Sequence, residues 1–436
     1  MQILFIVLYL LLVISPLALV LQFGPYTNHN WMYEIGKAFA LMGFVIITLQ
    51  FIISSRQKWF EKYFGLDITF SFHKAMAMMA GLLVVSHPIL LAFGSNKLEL
   101  LTSLSLPWYV MMGKFALLLI LIQVILGLFR QKLRFGFQKW RASHNVVGGL
   151  LLLAILIHSL FASGGDLKLL PLIILWIALF TLALGSYTYH KLIMPMRLRK
   201  NTYTVKDVKK ETPNVWTLTF EPPSGKKRYD YYPGQFHFLT LHRGRGLPKE
   251  EHHFTISSSP TQEGMITSSI KESGDFTAII GETKKGDPVS VEGPFGRFSH
   301  LFYPDDWDFI FIAGGIGITP IRSMLKYMHD TGADANALLI YANHSKKDIA
   351  FRDELDGIGR NGNSKLKVVH VLSHPDNNWQ GESGYVNEEI LDKYIDDYKQ
   401  KSFYICCPDA MRKAVMKILK KRGVKSRQIR MEVFSL

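Results

Sequence analysis

Hydrophobic and polar positions change their rhythm near residue 194. Before it, six apolar stretches alternate with short polar ones, over roughly 2–22, 32–53, 72–93, 108–129, 145–162 and 169–190. Each can cross the hydrocarbon core of a bilayer as a helix, which takes about 20 residues. The first lacks a basic leading region and a small-residue cleavage site and contains Pro16, so it reads as a spanning helix and not a signal peptide. After Met194-Pro195-Met196 the chain turns polar. Short alternating runs over 203–208, 215–220, 236–241, 254–257, 265–270 and 289–291 predict a small antiparallel β-barrel. From residue 308 the order becomes apolar strand, Gly-rich turn, helix, strand, which predicts an open α/β sheet. The expected organisation is a six-helix transmembrane bundle over 1–193, a linker over 194–201, a β-barrel domain over 202–300 and an α/β domain over 301–436.

Composition agrees. Of 436 residues, 48% are hydrophobic and 19% charged. With 29 Phe, 18 Tyr and 8 Trp, intrinsic disorder is excluded as the main state. The only cysteines are Cys406 and Cys407, which excludes a disulfide framework and a cysteine-built structural zinc site. The net charge of +15 is uneven: residues 1–200 hold 17 Lys and Arg against 5 Asp and Glu. A positive excess in the apolar half fits basic membrane loops and not a nucleic-acid surface. Arg56, Lys58 and Lys62 lie in one loop, Arg130, Lys132, Arg134, Lys139 and Arg141 in another, and Lys191, Arg197, Arg199 and Lys200 follow the sixth span. The positive-inside rule then puts the N-terminus and everything after residue 193 in the cytoplasm.

Ionisable residues inside spans are costly and mark function. The third span carries His73 and His87, and the fifth His144 and His158, each pair 14 residues apart. Fourteen residues are about four turns and ~21 Å of rise, so both members of a pair share a face. The two spans run in the same direction, which levels His73 with His144 and His87 with His158. A lone intramembrane histidine is more often a hydrogen-bonded core residue or part of a proton path. The matched spacing favours axial ligation of two b-type haems, one above the other. Ala75, Ala77, Ala80, Gly81, Gly148 and Gly149 lie between the ligands and would leave room for flat macrocycles. His29 and His190 have no partner at matching depth and read as interfacial.

In the polar half, three motifs follow one another: Tyr232-Pro233-Gly234-Gln235-Phe236, then His252-His253-Phe254-Thr255-Ile256-Ser257-Ser258, then Gly274-Asp275-Phe276-Thr277. A fourth, Gly314-Gly315-Ile316-Gly317-Ile318-Thr319-Pro320, sits between a strand and a helix, where glycines let a pyrophosphate approach the backbone. Two later strand ends carry Tyr341-Ala342-Asn343-His344-Ser345-Lys346-Lys347 and Ile405-Cys406-Cys407-Pro408.

In this order the motifs resemble the ferredoxin–NADP reductase superfamily, and the whole chain resembles the NADPH oxidase family, specifically its compact bacterial members. The resemblance implies FAD held by His252, Phe254, Thr255, Ile256 and Ser257, with Thr255 near flavin N5. It places the flavin pyrophosphate on Gly274, Asp275, Phe276 and Thr277. NADPH falls to Gly314, Gly315, Gly317 and Thr319, with Cys406 and Pro408 near the nicotinamide. A hydroxyl and an ammonium at Ser345 and Lys346 suit the 2′-phosphate. Phe434 is the aromatic residue expected to stack on the flavin and yield to nicotinamide, against the alternative of a core Phe on the last strand. Cys406 has the alternative of a small buried hydrophobe. His253 replaces the family's usual Pro, and Cys407 its usual Gly. No EF-hand loop precedes the first span, so constitutive activity without calcium gating is expected.

The implied activity is NADPH-driven electron transfer through FAD and two haems to oxygen outside, giving superoxide, with no obligatory protein partner. The outer loops offer only Glu34, Glu99 and Asp166, too few clustered carboxylates to collect hard ferric ions. A ferric-chelate reductase on the same path remains open, because Lys97 or Lys168 would attract an anionic chelate. A histidine-lined proton carrier with a nucleotide-sensing domain is the alternative of another class.

Overall fold

A computed structural model describes residues 1–24, 30–163, 169–361 and 365–432. The chain divides into two compact units, Met1–Met196 and Arg197–Leu436.

Six helices in the first unit are long and apolar enough to cross a membrane: α1 (Gln2–Phe23), α2 (Trp31–Ile53), α3 (Leu66–Gly94), α4 (Trp108–Phe129), α5 (Phe137–Ala162) and α6 (Leu170–Thr188). α3 and α5 begin earlier than their apolar windows, at 66 and 137, because hydropathy marks only the apolar part of a helix whose first turns are polar. The expected linker is also helical: α6 continues through a π-turn at Tyr189–Ile193 into Met194–Lys200.

α2 is the most buried span. It packs against α3 through small residues: a Cβ on Gly43 would lie 2.8 Å from Val84, and one on Gly94 2.4 Å from the Tyr33 nitrogen. Such close backbone approach is how membrane helices gain packing where water supplies no driving force. Trp176 of α6 stacks on Phe44 of α2 with ring centres 4.3 Å apart, and its indole N–H donates to Ser159 of α5 at 3.1 Å. Leu82, Leu118, Val146 and Ile174 stay exposed on outward faces, where lipid would cover them.

The second unit opens with an antiparallel sheet of β1 (Tyr203–Thr212), β2 (Val215–Glu221), β3 (Phe236–Leu241), β4 (Glu251–Thr255), β5 (Ile266–Lys271) and β6 (Pro288–Phe295). The expected barrel is not closed. Hydrogen-bonded neighbours run β4-β3-β6-β1-β2-β5, so β4 and β5 are the two edges. They approach beyond β4, where Ser257 N–H donates to the Thr267 carbonyl at 2.8 Å. β4 ends at Thr255, too early to ladder along β5. Val205, Leu218, Phe220, Leu239 and Ile266 fill the interior.

A parallel sheet follows: β7 (Asp308–Gly314), β8 (Asn336–Asn343), β9 (Lys365–Leu372), β10 (Glu382–Ser383), β11 (Ser402–Cys406) and β12 (Ile429–Met431). Its order is β10-β9-β8-β7-β11-β12. Helices α7 (Ile318–Asp330), α8 (Arg352–Asn361), α9 (Glu388–Tyr394) and α10 (Asp409–Lys421) accompany it, and an apolar core lies on each face. The strand order reverses between β7 and β11. Open α/β sheets bind ligands at that reversal, outside the carboxyl ends of the strands.

His237 of β3 is fully buried between the Tyr229 hydroxyl, 2.6 Å from Nδ1, and the Ser268 hydroxyl, 2.6 Å from Nε2. Burial pushes its imidazole down to about 3. The unfolded chain therefore takes up a proton that the folded one refuses below the ordinary value of about 6.5. Stability from this group is complete above that value and is lost as pH falls towards 3. Denaturant unfolding at pH 7 and pH 5 should differ by about 2 kcal/mol from His237 alone, and His237→Gln should remove that share of the difference.

Candidate functional site

The first group of candidate side chains lies in the membrane unit. His73 of α3 faces His144 of α5 with ring centres 6.2 Å apart, and His87 faces His158 at 6.4 Å. The spacing argument therefore pairs the rings by depth. A metal–imidazole bond of about 2 Å, and a ring nitrogen ~1 Å from its ring centre, put two rings sharing one metal about 6 Å apart. Both pairs meet this distance.

The outer pair is also oriented. His87 Nδ1 lies 2.9 Å from the Gly36 carbonyl and His158 Nδ1 2.8 Å from the Tyr109 carbonyl. A carbonyl can only accept, so each Nδ1 carries the proton and each Nε2 keeps a lone pair for a metal. Gly113, one turn after Tyr109 on α4, supports the His158 ring closely: a Cβ there would lie 2.5 Å from Cε1. The inner pair is held differently. The Nδ1 atoms of His73 and His144 are buried without a hydrogen-bond partner among the described residues. Trp140 lies beside the His144 ring at 5.2 Å, and Gln123 donates to the His144 carbonyl at 2.8 Å. Among the described residues no cluster of three or more His, Cys, Asp or Glu could hold a metal. Two protein ligands are too few for a structural zinc ion but would suit a haem iron.

The small residues between the ligands partly serve other packing. A Cβ on Gly81 would touch Val124 of α4 at 3.4 Å, and one on Gly149 would touch Tyr187 of the sixth helix at 3.4 Å.

The second group lies around β3 and β4. Gly234 has φ +95°, and a Cβ on it would strike the Phe298 carbonyl oxygen. Gln235 staples this turn, accepting from Tyr232 N–H at 2.8 Å and donating to the Gly296 carbonyl at 2.9 Å. His252 stacks on Phe276 at 4.2 Å, and the Arg243 guanidinium lies 5.0 Å from the centre of the same ring. This sandwich links β4 to the Gly274–Thr277 turn. There Gly274 and Asp275 are exposed, and the Thr277 hydroxyl accepts from the N–H groups of Ser273 and Gly274. Phe254 is half-buried, and Thr255 and Ile256 are buried. Ser257 is fully buried, its hydroxyl 3.0 Å from that of Thr267 and 2.9 Å from that of Ser269.

The third group forms a cleft of ≈ 780 Å³ at the carboxyl ends of β7, β8 and β11, lined among others by Gly314, Gly315, Ile316, Asn343, His344, Ser373, Tyr385 and Pro408. Gly317 is wedged against β11: a Cβ would lie 2.0 Å from the Cys406 carbonyl oxygen. Gly315 has φ +53°, and the Thr319 hydroxyl donates to the Ile316 carbonyl at 3.0 Å. Asn343 is nine-tenths buried at the cleft wall. Lys271 of β5 adds a cation beside Gly315.

Several expected residues are placed differently. The Cys406 side chain is fully buried among Phe311, Ile318 and Tyr404, and burial holds its thiol well above the ordinary range. What it presents to the glycine turn is its carbonyl. The Ser345 hydroxyl donates to Asp348 at 2.5 Å, and neither Ser345 nor Lys346 lines the cleft. Phe434, His29, Asp166 and Lys168 lie outside the described residues.

A clamp not foreseen joins the second and third groups. Arg322 of α7 donates through Nη1 to the Ser257 carbonyl at 2.7 Å and through Nε and Nη2 to Glu354 at 3.0 and 2.7 Å, with Phe351 against its guanidinium. Ser323 donates to the Ser258 carbonyl at 2.5 Å.

Known proteins match this chain piecewise. Residues 39–155 match the family described as ferric reductase like transmembrane component, 202–300 the oxidoreductase FAD-binding domain, and 311–417 the oxidoreductase NAD-binding domain. The chain is 29% identical over 229 residues to the stachydrine N-demethylase reductase subunit Stc4 of Rhizobium meliloti, covering 52% of this chain and 64% of that one. It is 30% identical over 209 residues to a glycine betaine monooxygenase reductase subunit of Pseudomonas aeruginosa, covering 47% and 56%. It thus spans between about half and two thirds of these relatives' length. Among solved structures, flavohemoglobin from Malassezia yamatoensis aligns with a TM-score of 0.51 at 15% identity, over 93% of this chain and 96% of that one. The FAD/NAD-binding domain of nitric oxide dioxygenase from Vibrio cholerae aligns at 0.48 and 21%, over 53% and 98%.

Gly317→Ala should separate the glycine turn from β11 and lower nucleotide-driven flavin reduction by about 100-fold or more. Gly357→Ala on α8, where a Cβ meets nothing within 4 Å, is the matched control and should leave the rate unchanged. Anaerobic flavin bleaching measures both.

Proposed function

We propose that this chain, an oxidoreductase joining a ferric-reductase-like transmembrane region to FAD- and NAD-binding domains of ferredoxin reductase type, carries electrons from cytoplasmic NADPH or NADH across the membrane to oxygen. The observation that carries it is the histidine ladder: two facing ring pairs, 6.2 and 6.4 Å apart, at two depths of one bundle. When bound, FAD would supply the exchange between a hydride and single electrons, and haems on the two pairs would supply one-electron carriers at two depths.

The protein's share is order and exclusion. The glycine turn after β7 and Lys271 offer backbone and positive charge to a pyrophosphate. The Arg322 clamp holds the strand end after β4 against the nucleotide lobe. His87 and His158, with Nδ1 protons committed to carbonyls, face each other as neutral ligands. Each pair, His73 with His144 and His87 with His158, would hold a haem through two imidazoles and so leave an acceptor no open site on the metal. The basic loops support a reading with the N-terminus and the dehydrogenase on the cytoplasmic side and the His87/His158 level towards the outside.

Oxygen is the acceptor best suited to the outer ends. Among their described residues the acids are Glu34, paired with Lys37 at 3.4 Å, and Glu99. A ferric chelate is the second reading, favoured by the match of residues 39–155 and by exposed Lys97.

His158→Leu and Gly113→Ala, the latter by displacing the pinned ring, should each lose about half of the bound haem while flavin reduction persists. Equal loss at both levels in a folded protein would contradict pairing by depth. NADPH-driven cytochrome c reduction should be suppressed by superoxide dismutase. Dismutase-insensitive activity with faster anaerobic ferric reduction would favour the reductase reading.

A further inference from the structure

A bulky side chain stands on a left-handed backbone beside the wall of the nucleotide cleft. Phe351 has φ +61°, and among the described non-glycine residues with positive φ it is the only aromatic one. For such a residue the conformation is strained, and strain of this kind persists only where the surroundings over-determine it. On the N-terminal side Ile349 and Ala350 are buried, and Asp348 and Ala350 line the cleft. On the C-terminal side α8 begins at once, with the Phe351 carbonyl accepting from the Leu355 N–H at 3.0 Å. Between these fixed neighbours the chain turns through Phe351. The turn delivers its ring to the Arg322 guanidinium, which lies 4.2 Å from the ring centre.

Arg322 has two acceptors. Nη1 donates to the Ser257 carbonyl, while Nε and Nη2 both donate to a single oxygen of Glu354, Oε2. The other oxygen, Oε1, is buried with no hydrogen-bond partner among the described residues. A guanidinium fork is best matched by both oxygens of a carboxylate. The observed arrangement thus forgoes an ordinary backbone at Phe351 and a donor for Glu354 Oε1, and it holds Ser257. Ser257 follows Thr255 and Ile256 at the end of β4. Its N–H donates to the Thr267 carbonyl, and its hydroxyl lies against those of Thr267 and Ser269. A pull on its carbonyl therefore moves the whole strand end.

We propose, resting on the FAD and NAD(P)H reading above, that Phe351 is a positioning residue that couples the two ligand sites: through Arg322 it makes nucleotide and flavin strengthen each other's binding. A nucleotide filling the cleft rests on Asp348 and Ala350 and holds Phe351 in its left-handed turn. The ring keeps Arg322 aimed at Ser257, and the strand end stays where a flavin needs it. A flavin bound at that strand holds Ser257, and the same links run back to the cleft wall. With both ligands absent the clamp opens more often. Phe351 then regains ordinary backbone, and Arg322 closes its fork on both oxygens of Glu354. Two ligands that favour one state bind cooperatively, by the same factor in either direction. The flavin is thereby held most firmly while a nucleotide is present to reduce it.

The test is FAD binding to the full chain in detergent, followed by quenching of flavin fluorescence, with and without saturating NADP+ or NAD+. Oxidised nucleotides keep electron transfer out of the measurement. In the wild type the nucleotide should lower the FAD Kd about tenfold, and FAD should lower the nucleotide Kd by the same factor. Phe351→Leu takes the ring from Arg322, and the factor should fall below about twofold while each ligand alone still binds. Phe351→Tyr keeps the ring and should keep the factor. Arg322→Lys keeps the charge without the fork and should lose the factor as Phe351→Leu does. Each factor compares two Kd values on one preparation, so a general loss of folding cancels. If Phe351→Leu does not fold or binds no FAD, Arg322→Lys and Phe351→Tyr decide between the outcomes. No effect of nucleotide on FAD binding in the wild type, or an undiminished effect in Phe351→Leu and Arg322→Lys, overturns the coupling and leaves the FAD and NAD(P)H reading intact. A folded chain that binds neither FAD nor nucleotide overturns that reading and the coupling with it.

Discussion

The distance between facing imidazoles constrains the membrane unit more than any other contact. Rings 6.2 and 6.4 Å apart must face each other at two depths, so α3 and α5 have to run in the same direction without closing on one another. Other helices supply the cohesion. α2 zips onto α3 through Gly36, Gly43 and Gly94, α4 packs on α5, and Trp176 ties α6 to α2 and α5. In lipid, where apolar contact alone gives little, this division leaves room between the histidine-bearing helices while the bundle remains packed. The outer rings gain orientation from the same neighbours, through the carbonyls of Gly36 and Tyr109 and the bare backbone of Gly113.

The second unit obeys a similar rule of close backbone approach. Gly317 can lie against the Cys406 carbonyl because it has no side chain, and that contact brings the turn after β7 to the end of β11, where the strand order reverses. Arg322 and Ser323 then fasten the nucleotide lobe to the carbonyls of Ser257 and Ser258. The two motifs most dense in the sequence are thus joined by backbone groups, and the side chains between them, Ser257 above all, are occupied with holding one another.

Elements with a strong period were legible in the sequence. The six spans, both sheets and the depth pairing of four histidines follow from hydropathy, alternation and a spacing of 14. Less legible was whatever depends on a partner far along the chain. Gly113 is an ordinary glycine until the His158 ring is placed against it, and Arg322 is one helical arginine among many until Ser257 and Glu354 face it. The barrel was expected from short alternating runs at regular spacing, but β4 is too short to ladder with β5 and the sheet does not close. Ser345 suited a phosphate by its chemistry, yet Asp348, three residues on, takes its hydroxyl. A local motif names residue types without their competitors.

The central proposal is that each of the two histidine pairs would hold a haem, reducible through a flavin bound by the same chain. The most direct measurement is the haem-to-chain ratio of the purified protein, with its anaerobic absorption spectrum before and after adding NADPH or NADH. The structure predicts two b-type haems per chain, both low-spin with bis-imidazole ligation and both reduced by the nucleotide. A folded, flavin-containing protein with no haem, or with one haem bound equally by variants of either pair, would contradict it.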